Sequence, residues 1–248
     1  MSWLELLLLG LAAIGAGAVN ALAGGGSILT FPSLIAAGLP PLAANVTNSV
    51  ALCPGYVGGV FAQRHDLKGQ ARRVAVLAPA ALAGGLAGGY LILHSSEKLF
   101  QDLVPWLLLG GCGLLAAQDR LRGWLQRRTG AIGLGSAVLP VTLGAIYGGY
   151  FGAGLGVVYL AVLGLAIDDD LTRLNALKQT LSLATNVAAA MLLVFSPLMV
   201  WPAAAVMGVG AILGGMIGGR LAGLVRPTTL RTLVIAIGVG VAILFLVR

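Results

Sequence analysis

Lys178 carries the most chemical information in this sequence. It is one of three lysines in 248 residues and lies about two turns into an apolar segment that begins at Leu171. Burying an ammonium there costs ~2.5–3.5 kcal/mol on insertion scales, so an intramembrane charge is a functional candidate by default; the bland alternative is snorkelling of the long side chain to nearby headgroups. Gln179 and Thr180 follow it directly, Asn175 precedes it, and Asn186 lies two turns further on, where it serves as a ligand contact or an interhelical hydrogen bond. A second group is Asn20 with Gly24-Gly25-Gly26-Ser27, followed by Pro32. Three glycines in a bilayer leave backbone N–H groups accessible at the start of a short helix, whose positive end suits an anion. Asn45, Thr47, Asn48 and Ser49 form a third group, and the run from Gly148 through Gly152, Gly154 and Gly156 a fourth. Two opposed helix starts with Asn20, Gly24, Gly25, Gly26, Ser27, Thr47, Asn48, Gly154, Gly156, Lys178, Gln179 and Thr180 make a pseudo-symmetric cradle of donors and one cation, the chemistry of anion binding. For glycines at a helix break, site and simple packing weigh evenly; for Gly84, Gly85, Gly88 and Gly89, inside an unbroken run, close helix packing is the better reading.

Other chemistries lack their residues. The sequence has no HExxH, GxSxG, P-loop or GxGxxG pattern, and His65 and His94 sit at loop edges. Cys53 and Cys112 have no CxxC spacing and read as small packing residues. Asp168, Asp169 and Asp170 are consecutive and read as a solvated turn. No enzyme, metal site or cofactor is expected.

These groups need a membrane scaffold to position them. The chain is 58% hydrophobic and 9% charged, with a mean hydropathy of +0.98; soluble domains carry about 25% charged residues. No charge falls between Glu5 and Arg64, Arg73 and Glu97, Asp102 and Asp119, Arg128 and Asp168, or Lys178 and Arg220. Each gap holds one or more spans, since ~30 Å of hydrocarbon takes about 20 helical residues. The runs are apolar on every face, which excludes a transmembrane barrel. The net charge of +7 sits in short loops without aromatic interleaving, so it reads as loop charge rather than a nucleic-acid surface. The N-terminal stretch has Glu5 and no early Lys or Arg, and reads as a retained first segment rather than a signal peptide.

The chain also matches itself at an offset of 130 residues. Gly84-Gly85-x-x-Gly88-Gly89 falls on Gly214-Gly215-x-x-Gly218-Gly219, Gly24-x-Gly26 on Gly154-x-Gly156, Asn45 on Asn175, and Asn48 on Lys178. Several matches at one offset indicate a duplication, common among secondary transporters. Five segments are expected in each copy: 3–23, 27–37, 43–62, 74–93 and 103–118, then 131–151, 157–167, 171–195, 199–221 and 228–247. The second of each five is half a membrane long, so the first two form a hairpin broken at glycines, whose unwound backbone must be buried or line a cavity. Loop 64–73 holds Arg64, Lys68, Arg72 and Arg73 while its counterpart 196–202 has no charge; loop 94–102 is poor in base while its counterpart contains Arg220, Arg226 and Arg231. Equivalent loops therefore belong on opposite sides. The expectation is an all-α polytopic membrane protein of two inverted-topology repeats, 1–118 and 131–248, each a broken hairpin plus three spanning helices, joined by a basic cytoplasmic linker at 119–130, with both termini outside.

The stretch from Asn20 through Gly24-Gly25-Gly26-Ser27 to Pro32, with Gly38-Leu-Pro-Pro-Leu-Ala-Ala-Asn45, resembles the opening signature of the TauE/SafE sulfite exporter family, also called the toluene sulfonate uptake permeases. Tyr147-Gly-Gly-Tyr-Phe-Gly-Ala-Gly-Leu-Gly156 is similar to the second-half signature of that family, without a proline at the position matching Pro32. The resemblance implies transport of small sulfur-containing anions such as sulfite, sulfonates or sulfoacetate across a bacterial inner membrane. Such anions need donors and a cation, which the cradle supplies. Expected partners are that anion, membrane lipids and a coupling proton or ion, with monomer and homodimer both compatible. Rival readings are a passive anion channel and a membrane subunit that binds a lipid or protein partner through its basic loops.

Overall fold

The computed structural model describes residues 1–22, 24–127, 130–221 and 228–247. Among them the regular structure is helical: α1 (Trp3–Leu22), α2 (Ser27–Ala36), α3 (Pro41–Ala62), α4 (Ala71–Leu93), α5 (Glu97–Arg127), a 3-10 turn (Leu134–Ala137), α6 (Val138–Tyr150), α7 (Leu155–Ala166), α8 (Leu171–Leu193), α9 (Trp201–Leu221) and α10 (Thr228–Val247). The expected segments are all present, and each second one is short, at 10 and 12 residues. Parts of the sequence reading that rest on Ala23, Arg128 and Arg226 lie outside the described residues.

Two boundaries differ. α5 does not end near Gln118; it runs on to Arg127, so residues 119–127 are helix. At 1.5 Å per residue its 31 residues give roughly 46 Å, longer than the hydrocarbon layer. The extension is tied to α10 by an ion pair from the buried Arg231 to Asp119. The sixth helix starts late because Gly130 and Gly133 take positive φ, and the N–H groups of Ile132 and Gly133 donate to the carbonyls of Leu165 and Ala166 at 3.2 Å. That stretch caps the end of α7 rather than lengthening α6.

α1, α4, α5 and α9 are long and apolar enough to cross a membrane, and large apolar side chains such as Leu7, Leu11, Val209, Leu213 and Ile217 are exposed on outer faces. α3 and α8 are as long but carry the buried polar residues, which lowers their hydropathy and confines them to the interior.

Glycine decides how the helices meet. On α9, Gly210, Gly214 and Gly218 lie on α1, while Gly215 and Gly219 lie on α3; on α4, Gly84 and Gly88 lie on α6, while Gly85 and Gly89 lie on α8. A Cβ at Gly85 would fall 2.9 Å from Thr185 Cα, and one at Gly215 3.0 Å from Gly55 C, so only glycine permits these approaches. The doubled glycines thus serve two neighbours at once, one residue of each pair per face. The pattern is exchanged between the halves: α4 packs on α6 and α8, α9 on α1 and α3, α5 on α7, and α10 on α2. Residues ascend together in the α9 contacts with α1 and α3 and in the α4 contacts with α6 and α8. Across α3 and α8 they run oppositely, with Gly59 facing Gln179 and Gln63 facing Asn175.

Candidate functional site

The two helix breaks touch. After α1, Gly24 takes φ 87°, and the turn is closed by the Gly26 N–H, which donates to Asn20 Oδ1 at 2.7 Å. After α6, Gly152 and Gly154 each take φ 78°, and the Tyr147 hydroxyl donates to the Ala153 carbonyl at 2.5 Å. A Cβ on Gly24 would overlap Gly156 Cα and lie 2.8 Å from Gly156 N, so the first break sits on the second with no room for a side chain. Gly25 packs under Leu115 and Gly154 against Gly111, which brings α5 over the same place. Several donors expected to be open are engaged in local turns: the N–H of Ile28 reaches Gly25, those of Leu29 and Thr30 reach Gly26, and those of Val157 and Val158 reach Gly154. Ser27 is buried at the start of α2.

The polar side chains come from α3 and α8. Lys178 is 1% exposed, and its ammonium donates to the Asn20 carbonyl at 3.4 Å. That carbonyl belongs to the last turn of α1, where the helix dipole presents its negative end. Snorkelling to the headgroups is therefore not what Lys178 does. Asn175, one turn earlier, donates through Nδ2 to the Ala21 carbonyl and to Gln63 Oε1, both at 3.1 Å. Its counterpart Asn45 donates to the Tyr150 carbonyl, the last of α6, at 2.8 Å. Each long polar helix thus holds the end of the broken helix contributed by the other half of the sequence.

Asn48 accepts a hydrogen bond from Thr30 of α2 at 2.5 Å, and its Nδ2 has no partner. Gln179 lies against Gly59 and is unpartnered at both amide atoms, as are Ser182 Oγ, Asn45 Oδ1 and Asn175 Oδ1. Every buried side-chain polar atom without a partner among the described residues belongs to α3 or α8. An unmatched buried polar atom costs about 1–3 kcal/mol, and that cost is concentrated on α3 and α8.

The structure brings Asn20, Gly24, Gly25, Gly26, Ser27, Gly156, Lys178 and Asn48 to one region around the crossed breaks. Two residues of the expected cradle go elsewhere. Thr47 is buried but accepts the Val200 N–H at 3.1 Å, closing the start of α9, and Thr180 returns its hydroxyl to the Ala176 carbonyl of its own helix at 3.1 Å. Asn186 likewise donates to Ser182 O at 2.8 Å. Thr30, Gln63 and Ser182 were not anticipated. Ser182 could have been found, because it lies one turn beyond Lys178; Gln63 reads as a loop residue, and nothing in the sequence singles it out.

A polar clamp lies outside this layer. Gln70 donates to the Arg173 carbonyl at 3.0 Å, and Asp169 pairs with Arg73 and, at 3.0 Å, with Arg173. The run at 168–170 is therefore not simply a solvated turn: Asp169 joins the start of α4 to the start of α8. Burial raises its carboxyl pKa, but hydrogen bonds from Arg73, Arg173 and the Asp170 N–H outweigh that and hold it below the ordinary value of 3.8.

A helical membrane chain with crossed broken helices around a buried cation has the build of a multi-pass transporter. The family model for Sulfite exporter TauE/SafE matches residues 9–245, and the chain belongs to that family. It is 28% identical over 211 residues, 83% of this chain and 76% of the relative, to the probable membrane transporter protein YfcA of Escherichia coli strain K12. It is 26% identical over 246 residues, 94% of this chain and 88% of the relative, to the probable membrane transporter protein ORF9 of a Sinorhizobium species. A probable membrane transporter protein of Haemophilus influenzae is 25% identical over 224 residues, 88% of this chain and 85% of the relative. No solved structure matches.

Proposed function

We propose that this membrane transporter moves small sulfur-containing anions, with sulfite, sulfonates and sulfoacetate as the class, by alternating access of two inverted repeats in a bacterial inner membrane. The observation that carries the reading is the ammonium of Lys178, buried against the end of α1 just before the first break, with the unpartnered Gln179 and Ser182 beside it on α8. A sulfonate or sulfite head presents several acceptor oxygens and negative charge, and it takes Lys178 with Gln179 Nε2 and Ser182 Oγ, its neighbours on α8, as donors; Asn48, about three turns from Gln179 along α3, lies beyond the reach of the same head. A single lysine favours entry without preventing release. Thr47 and Thr180, drawn into local hydrogen bonds, then support the helices rather than touch the anion.

Inversion is supported by the helix directions. If α3 runs one way, α1 and α9 run with it, while α8, α4 and α6 run against it. Matching helices of the two halves then point in opposite directions, as the loop charges require with both termini outside. Rocking one half against the other exposes the lysine layer first past the Gln63, Gln70 and Asp169 contacts, then past the Thr47–Val200 contact.

The test is counterflow of labelled sulfite in liposomes, with unlabelled sulfite, a small alkyl sulfonate, sulfate and chloride as competitors, for wild type and Lys178→Ala. Saturable exchange inhibited by sulfite or the sulfonate, and lost in the variant, is the expected result. Unsaturable flux favours a channel, and exchange that survives the substitution removes Lys178 from the site.

A further inference from the structure

The two broken helices end in different electrostatic states. At the end of α1, the Asn20 carbonyl receives the ammonium of Lys178 and the Ala21 carbonyl receives Asn175 Nδ2. At the end of α6, the Tyr150 carbonyl receives Asn45 Nδ2, the counterpart of Asn175. The counterpart of Lys178 is Asn48, which is neutral, too short to reach as a lysine does, and turned to Thr30 of α2. Both helix ends carry the partial negative charge of aligned peptide dipoles, but among the described residues only α1 has a covalently attached cation to meet it.

Asn45 supplies the second observation. It is fully buried, and its Oδ1 has no partner although its Nδ2 is bonded to the Tyr150 carbonyl. Since both atoms belong to one amide, the unpartnered oxygen lies beside the α6 end. An oxygen acceptor, a helix-terminal carbonyl and a negative dipole end repel an anion and attract a cation. No three His, Cys, Asp or Glu side chains gather among the described residues. Neutral amide and carbonyl oxygens without carboxylates suit a monovalent alkali cation better than a hard divalent or a transition ion.

We propose that the C-terminal end of α6, at Asn45 Oδ1 and the Tyr150 carbonyl, binds a free monovalent cation, the counterpart of the tethered ammonium of Lys178 at the end of α1. The proposal rests on the transporter reading and deepens it, naming the ion that accompanies the anion. Binding there neutralises the α6 end and so favours an anion held in the Lys178 layer, roughly 20 Å further along α3. The coupling is reciprocal, with a typical size of about 5- to 150-fold in affinity.

Two measurements on the full chain separate this site from the anion reading. In detergent, binding of radioactive sodium is measured by scintillation proximity, with potassium, lithium and choline as competitors. Wild type is expected to bind sodium saturably and choline not at all; Asn45→Val and Asn48→Lys abolish binding, the latter by placing an ammonium where the ion sits; Asn45→Asp tightens it and keeps the site testable if the valine variant does not fold. In liposomes, sulfite counterflow is expected to rise at least about 5-fold when choline is replaced by an alkali cation at fixed pH. Background sodium binding by wild type, as a water molecule at Asn45 Oδ1 would give, overturns the cation site. So does sulfite exchange that is equal in choline and sodium or responds only to a proton gradient, and the transporter reading then still stands. Saturable sodium binding without exchange of any sulfur anion upholds the cation site and overturns the choice of substrate.

Discussion

Replacing Gly24 by alanine tests the contact on which the site depends. Gly24 takes φ 87°, which costs an L-residue about 1–2 kcal/mol. Its new methyl carbon would overlap Gly156 Cα and stand 2.8 Å from Gly156 N, and backbone cannot rotate aside as a side chain does. Overpacking of this kind costs about 1–3 kcal/mol, so the sum is about 2–5 kcal/mol. At roughly 2–4 °C per kcal/mol for a chain of this size, the midpoint of that range lowers Tm by roughly 7–14 °C. Gly113→Ala is the control, because nothing lies within 4 Å of the added carbon and the residue is in the middle of α5. The assay is thermal unfolding of both purified variants in detergent, followed by intrinsic fluorescence. If Gly24→Ala melts within about 2 °C of wild type, the two breaks are not in backbone contact, and the cradle built on their crossing fails with them.

Asp169→Asn weakens the clamp between α4 and α8, and its effect depends on pH in a defined direction. The folded-state pKa of Asp169 lies below 3.8, so its stabilisation is fully present above about pH 4 and lost as pH falls through the folded value; Tm of variant and wild type should differ at pH 7 and converge in acid below pH 3.8. Asn20→Ala removes the acceptor for the Gly26 N–H at the start of α2, which costs about 1 kcal/mol as other helix caps do. Unfolding in detergent reads that loss, and an unchanged Tm would show the turn to be closed without Asn20.

The sequence determined the scaffold because the properties that fix it are local. Apolar runs without charge set the helices, glycines at 24–26 and 152–156 set the breaks, and the 130-residue offset pairs Asn45 with Asn175 and Asn48 with Lys178. Boundaries failed where a distant partner intervened: Arg231 on α10 holds the extension of α5 through Asp119, and the end of α7 captures residues 132–133. Where the polar side chains point is set by packing between distant parts of the chain. A helical position fixes a face, but whether Thr47 meets a ligand or the Val200 N–H depends on a loop 153 residues away, and whether Lys178 snorkels or reaches the end of α1 depends on how α8 crosses the first break. Hydrogen bonds act over a few ångströms between residues far apart in the chain, so their pairing is a property of the packed fold and not of residue spacing.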